Sequence, residues 1–120
     1  PPVISKAELE TSAFTEAHLR GGRPYGWRVA SAIAVEAARH IDAGEPFVYA
    51  YYDGIDKTAH ERGFGPFYDA ELVAVDQLVA GVLARLPADA TLLITADHGQ
   101  VQVGDAIVQP DRSMMQMVRG

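Results

Sequence analysis

The chain contains no cysteine. Disulfides and thiolate metal sites are therefore excluded, and any metal must be held by His, Asp or Glu. No apolar run reaches the roughly 18 residues of a membrane span, so none is expected. No basic flank followed by an apolar stretch marks a signal peptide. The first residues are Pro1-Pro2 rather than Met, which reads as a cut end; any targeting signal would lie upstream, and the compartment stays open. Positive charge is also scarce: 10 Lys and Arg stand against 16 Asp and Glu, a net charge of −6. That argues against a nucleic-acid partner, which calls for a basic face, but is no obstacle to divalent cations. The acidic residues are scattered, so no acidic tail is implied. Internal repeats and low-complexity segments are absent too.

What is present is enough apolar material for a core. Of the 120 residues, 48% are hydrophobic, which fits one small domain or a piece of a larger one. A chain of this size hides about two-thirds of its unfolded surface if it folds alone. Residues 1–10 read as an extended arm or a turn. Phe14, Ala17 and Leu19 mark a weak strand over 13–20, ended by Gly21-Gly22 and Pro24. Val29, Ile33, Ala37 and Ile41 recur every fourth residue, predicting a helix over 27–42 with Gly44 as its C-terminal cap and Pro46 beyond it. Phe47 to Tyr52 is a continuous apolar, aromatic run without alternation, as in a strand covered on both faces.

A second helix is predicted from Pro66 at its first position through Leu72, Val75, Val79, Val82 and Leu83 to Leu86. Asp69 and Glu71 near its start and Arg85 near its end have the signs the helix dipole favours. Thr-Leu-Leu-Ile-Thr at 91–95 reads as a second buried strand. Asp105 to Val108 fits a hairpin arm, and Met114 to Val118 a helix start. The order helix, strand, helix, strand predicts an α/β fold, a parallel sheet with flanking helices and a right-handed crossover through the 66–86 helix. A sheet this narrow has exposed edges, which points to a fragment of a wider one. The whole of 1–120 is read as one partial domain.

Ligands in open α/β sheets bind beyond the carboxyl ends of the strands. Both expected strands end in an Asp and a His: Asp56 and His60 after the first, Asp97 and His98 after the second. Asp56 and His60 are four apart, so a helical turn puts both on one face. Asp97 and His98 are adjacent, and Gly99 lets the backbone bend so that both reach the rim. Carboxylate oxygen and imidazole nitrogen suit zinc and other first-row divalent ions. Taken singly, each pair is more often a solvated turn or a surface ion pair; their joint placement at two strand ends favours a metal site. Two ligands per metal fall short of a complete shell. His40 near a helix end complements the dipole, and His18 reads as structural. Asp53 and Asp76 read as turn and helix-surface carboxylates. Tyr49, Tyr51 and Tyr52 pack the core, Tyr52 lying nearest the rim. Gly63-Phe64-Gly65 is too short for a phosphate loop, and Ser12 and Ser31 lack the elbow of a nucleophilic serine.

An apolar strand, then Asp56-x-x-x-His60-x-x-Gly63, a helix containing an Asp, and Thr95-Ala96-Asp97-His98-Gly99 after an aliphatic strand resemble the alkaline phosphatase superfamily. Within it they are most similar to the type I phosphodiesterase/nucleotide pyrophosphatase group, from about Phe47 to Val101. The resemblance implies an alkaline-phosphatase-like fold and a metal-dependent phosphoric-ester hydrolase acting on a small phosphate ester or nucleotide. It implies two divalent ions, zinc by family habit with manganese as the alternative. Asp56 and His60 would bind the ion facing the substrate oxygen. Asp97 and His98 would bind the one that activates a Thr or Ser nucleophile. Sulfatases and phosphoglycerate mutases of the same superfamily are the other enzymes it admits, and a non-catalytic metal-binding α/β module is the reading outside catalysis. Ile55 and Ala59 stand where the family often has Pro and Gly. Counterparts of the family's N-terminal Asp, its nucleophile and its last His are missing, since no His follows His98. No catalytic residue is therefore assigned to this chain, and the chain alone is expected to bind metal weakly and catalyse little.

Overall fold

The computed structural model describes residues 1–104, 110, 111 and 114, with Phe14 described by its backbone alone. It begins with β1, Pro2–Lys6, where an arm or turn was expected. Pro2, Val3, Ile4 and Ser5 are all buried, because β1 is the central strand of a three-stranded sheet. Pro2 is tolerated as the first residue of the strand, where a missing N–H costs least. The β-branched pair Val3-Ile4 supplies the strand preference. Fully burying Ile4, which is 0% exposed, stabilises the fold by roughly 1.5–3 kcal/mol.

A 3₁₀ turn over Ala7–Leu9 leads to α1, Ala13–His18. A strand was expected over this stretch. The helix wins because Ser12 caps it: Ser12 Oγ accepts from the Thr15 N–H at 3.1 Å, and the Thr15 hydroxyl donates to the Leu9 carbonyl at 2.6 Å. β2, Arg23–Trp27, pairs parallel with β1 from Pro2↔Arg23 to Lys6↔Trp27. Pro24 and Gly26 fit it because it is an edge strand of the described sheet.

α2, Ser31–Asp42, is the helix expected over 27–42. Its buried face is Ile33, Ala34, Ala37 and His40, turned from the predicted stripe so that Val29 lies outside at 62% exposure. Gly44 ends it as expected. At φ +85° its N–H bonds the Ile41 carbonyl at 2.9 Å and the Glu45 N–H bonds the His40 carbonyl at 3.1 Å, the Schellman arrangement. Ile4, Trp27, Ile33 and Ala37 form the core, flanked by Tyr25, Ala32, Val48, Tyr52 and Leu78. His40 is buried in it, its ring 4.1 Å from that of Tyr25.

β3, Tyr49–Ala50, pairs parallel with β1 through Val3↔Tyr49 and Ile4↔Ala50. The expected direction holds. The expected cover does not: Phe47 is 59% and Tyr49 38% exposed, because β3 is an edge of the described sheet. Two helices follow, α3, Gly54–Arg62, and α4, Pro66–Leu83. Pro66 opens α4 as predicted, and Arg85 lies just past its end, donating to the Gly81 carbonyl at 2.7 Å.

Residues 91–95 form no strand, which corrects the second buried strand of the sequence reading. A buried strand needs a paired edge and a layer on each face. Here Leu93 is 84% and Ile94 64% exposed, so no layer covers them. The crossover expected through 66–86 is therefore not closed among the described residues. The hairpin arm over 105–108 lies outside the described residues, as does the helix start at 114–118 apart from Met114. No helix is long and apolar enough to cross a membrane among the described residues.

Candidate active site at the carboxyl edge of the sheet

All three strands are parallel, so their carboxyl ends, Lys6, Trp27 and Ala50, lie along one edge. The chain leaves that edge through Tyr51, Tyr52 and Asp53 and enters α3 at Gly54. A Cβ on Gly54 would collide with the Tyr52 ring and hydroxyl and with the Glu71 carboxylate, so a side chain there would displace the Tyr52–Glu71 pair. α3 then delivers two of the expected ligands. Asp56 is in its first turn and His60 in its last, one helical turn apart on one face. Asp56 Oδ1 and His60 Nε2 are 3.5 Å apart.

The second pair arrives from far along the chain. His98 Nε2 is 3.7 Å from Asp56 Oδ1 and 3.8 Å from Asp97 Oδ2. His98 thus touches both carboxylates, and Asp56 Oδ1 faces both imidazoles. The Asp97 Oδ1 atom accepts from the His98 N–H at 3.1 Å, and His98 Nδ1 lies 3.0 Å from the Gly99 carbonyl. Sequence reasoning missed Gln100, whose Nε2 donates to Asp56 Oδ1 at 3.0 Å. Its position two residues after His98 was the only signal.

These contacts do little for stability. The side chains are 43% (Asp56), 77% (His60), 76% (Asp97) and 54% (His98) exposed, and attraction between groups so open to solvent is largely screened. The electrostatics favour a cation. The His98 imidazole is held above its ordinary range by the Gly99 carbonyl first, then by Asp97 and Asp56. The Tyr51 hydroxyl is pushed up by burial, then by Asp53, Asp97 and Asp56. Carboxylates from both chain regions therefore act on one spot. In kind, two carboxylates and two imidazoles fit a divalent first-row ion. In placement, no three His, Asp or Glu side chains already stand so as to hold one among the described residues.

Behind the site lie further contacts that the sequence did not announce. Lys6 Nζ lies 2.6 Å from Asp53 Oδ2 and 5.8 Å from the Trp27 ring centroid. The Tyr52 hydroxyl donates to Glu71 Oε1 at 2.6 Å. Burial and then Glu71 push that hydroxyl up to about 12. Asp53, read as a turn carboxylate, is thus paired across the edge, and Tyr52 faces α4.

The profile of the type I phosphodiesterase / nucleotide pyrophosphatase family matches residues 7–116. The chain belongs to this family. Two curated relatives are similar over a shorter stretch. GPI ethanolamine phosphate transferase 3, catalytic subunit, of Homo sapiens is 33% identical over 67 residues, covering 54% of this chain and 6% of that protein. Its Mus musculus counterpart is 31% identical over 67 residues, again covering 54% of this chain and 6% of the relative. The chain thus spans about 6% of the length of the curated relatives it matches. No solved structure matches it significantly. Membership places the α/β sheet and its carboxyl edge within the alkaline phosphatase superfamily, whose phosphodiesterase and pyrophosphatase type is a class of hydrolases and phosphoryl transferases.

Proposed function

We propose that this chain supplies the cation-holding rim of an enzyme that cleaves phosphate diesters or nucleotide pyrophosphates. The supporting observation is the position of Asp56 Oδ1, 3.5 Å from His60 and 3.7 Å from His98, in a chain of the phosphodiesterase family. Asp56 and His60 would hold one divalent ion, and Asp97 and His98 a second, zinc or manganese. Bound there, the ions would offset the charge on the phosphoryl oxygens. The chain's own groups prepare the site. Gln100 donates to Asp56 and restrains its carboxylate, as outer partners of metal ligands do. Asp97 accepts from the backbone of His98 and fixes the turn that carries both ligands.

The curated relatives favour a second reading. They are named as transferases of ethanolamine phosphate, so the acceptor could be an alcohol rather than water. The rim described here would serve both reactions. The test is an assay of the full-length protein on bis-p-nitrophenyl phosphate, with and without an added alcohol. Chelation should abolish turnover, and zinc or manganese should restore it. His98→Ala should lower it roughly 100-fold or more, since a catalytic metal is worth several kcal/mol. A transferred product in the presence of alcohol selects the transferase. Metal binding without turnover selects the non-catalytic module. Turnover that survives both chelation and His98→Ala refutes the proposal.

A further inference from the structure

α3 carries Asp56 and His60, yet it has no buried residue. It lies along α4, and near its end the Arg62 guanidinium is 5.1 Å from the Phe67 ring centroid. Its start is held by the three residues before it. The Tyr51 carbonyl accepts from the Trp27 indole N–H of β2 at 3.2 Å, while the Tyr51 N–H donates to the Ile4 carbonyl of β1 at 2.8 Å. The Tyr52 hydroxyl donates to Glu71 of α4 at 2.6 Å, and its ring centroid is 5.6 Å from that of Trp27. Asp53 pairs with Lys6 at the end of β1 at 2.6 Å. Consecutive residues are thus fastened to β2, α4 and β1.

The Tyr51 N–H bond belongs to the β1–β3 ladder, whereas the contacts with Trp27, Glu71 and Lys6 are side-chain fastenings beyond it. Two of them involve a charged group and are stronger than neutral hydrogen bonds. Lys6 and Asp53 are 26% and 23% exposed, against 43% and 77% for Asp56 and His60, so their attraction is screened less. Lys57 N–H, in the first turn of α3, bonds the Asp53 carbonyl at 2.9 Å, which carries the restraint from the loop into the helix.

We infer that Tyr51, Tyr52 and Asp53 form a three-point clamp that fixes the start of α3, with Lys6 and Glu71 as positioning residues that set where Asp56 and His60 stand against His98. Its bearing on cation binding rests on the function proposed above; its bearing on α3 does not.

The test compares Lys6→Met, which removes the charge and keeps most of the stem, with Lys6→Arg, which returns the charge. In the metal-free 120-residue chain, amide hydrogen exchange reads α3 and α2 separately. Lys6→Met should speed exchange at Lys57 and Gly63 about tenfold while α2 amides change less than about twofold. Lys6→Arg should recover most of the protection. Zinc titration by calorimetry, well below the unfolding transition, should show roughly tenfold weaker binding for Lys6→Met, as for loss of an outer partner of a metal ligand. If Lys6→Met does not fold, Glu71→Gln is read in the same way. Equal acceleration in α2 and α3, or wild-type rates in α3, overturns the clamp. A wild-type chain that binds no zinc counts against the proposed function, and the exchange rates still decide the clamp.

Discussion

Ile33 on α2 is 4% exposed, whereas Leu93, a side chain of the same class, is 84% exposed. The contrast extends to the regions around them. From β1 to α2 the chain closes a core of its own, with Val3, Ile4, Trp27, Ile33, Ala34 and Ala37 all buried. From α4 onward it stays open: α4 has no buried residue, and Phe67, Val73, Leu93, Ile94, Val101 and Val103 are all more than half exposed. Both regions are rich in apolar side chains. The difference lies in partners. The first region has a sheet face and a helix to set against each other, whereas in the second α4 is covered only in part, through Leu78 against the core and along α3, and the extended segment after it has no covering layer among the described residues. Apolar sequence creates the demand for burial, and topology decides whether it is met.

The largest expected effect breaks or confirms this contrast directly. Ile4→Ala should cost about 2–5 kcal/mol in urea unfolding followed by circular dichroism, through lost burial and a cavity at the centre of the sheet. Leu93→Ala should change stability by less than about 0.5 kcal/mol. Similar losses for the two would show that the open region is packed after all. Next comes the seam between the regions. Tyr52→Phe deletes the hydroxyl that reaches from the sheet edge to Glu71 and should cost about 1.5–3 kcal/mol, as for a hydrogen bond to a charged group. A smaller loss, about 1 kcal/mol, is expected for Gly44→Ala, which forces a side chain into a left-handed backbone at φ +85°. The smallest belongs to the exposed face of α3. Lys57→Met removes an ion pair to Glu61 in which both side chains are 58% exposed and should move stability by less than about 0.5 kcal/mol.

The seam also has a pH dependence. An unfolded tyrosine ionises near about 10, whereas Tyr52 is held up to about 12. Below the lower value both states carry the proton, and the contribution of Tyr52 to stability is complete. As pH rises through this window the unfolded state loses its proton first, so the contribution is lost progressively. An ultraviolet titration should show Tyr52 ionising last, after Tyr51, whose hydroxyl is also raised, and Tyr52→Phe should remove that last step. A last step near pH 12 that persists in Tyr52→Phe belongs to another residue and contradicts the assignment.

The parts visible in the sequence were those with a long period or a local cap. α2 and α4 showed through their helical spacing, and Gly44 and Pro66 through the backbone angles those positions require. β1 and β2 were hidden because they are short and contain Pro2, Pro24 and Gly26. Such strands are specified by their neighbours rather than by their own alternation. α1 was misread because Ser12 was not recognised as its cap. The 91–95 segment reads as a buried strand because its composition records burial somewhere, and nothing described here provides it. At the site, Asp56, His60, Asp97 and His98 stood out by motif. Gln100 and the Lys6–Asp53 pair did not, since each depends on a contact between residues more than forty positions apart.

The central claim is the proposal that Asp56 and His60, with Asp97 and His98, hold divalent cations at the carboxyl edge of the sheet. It is tested most directly by following the histidine side-chain nuclear magnetic resonances of the 120-residue chain during zinc addition. The His60 and His98 signals should both shift as zinc is added, while His40, buried against Tyr25, stays unchanged; Asp56→Asn should weaken the His60 shift. Absence of a shift at His60 or at His98, or an equal shift at His40, would contradict the claim.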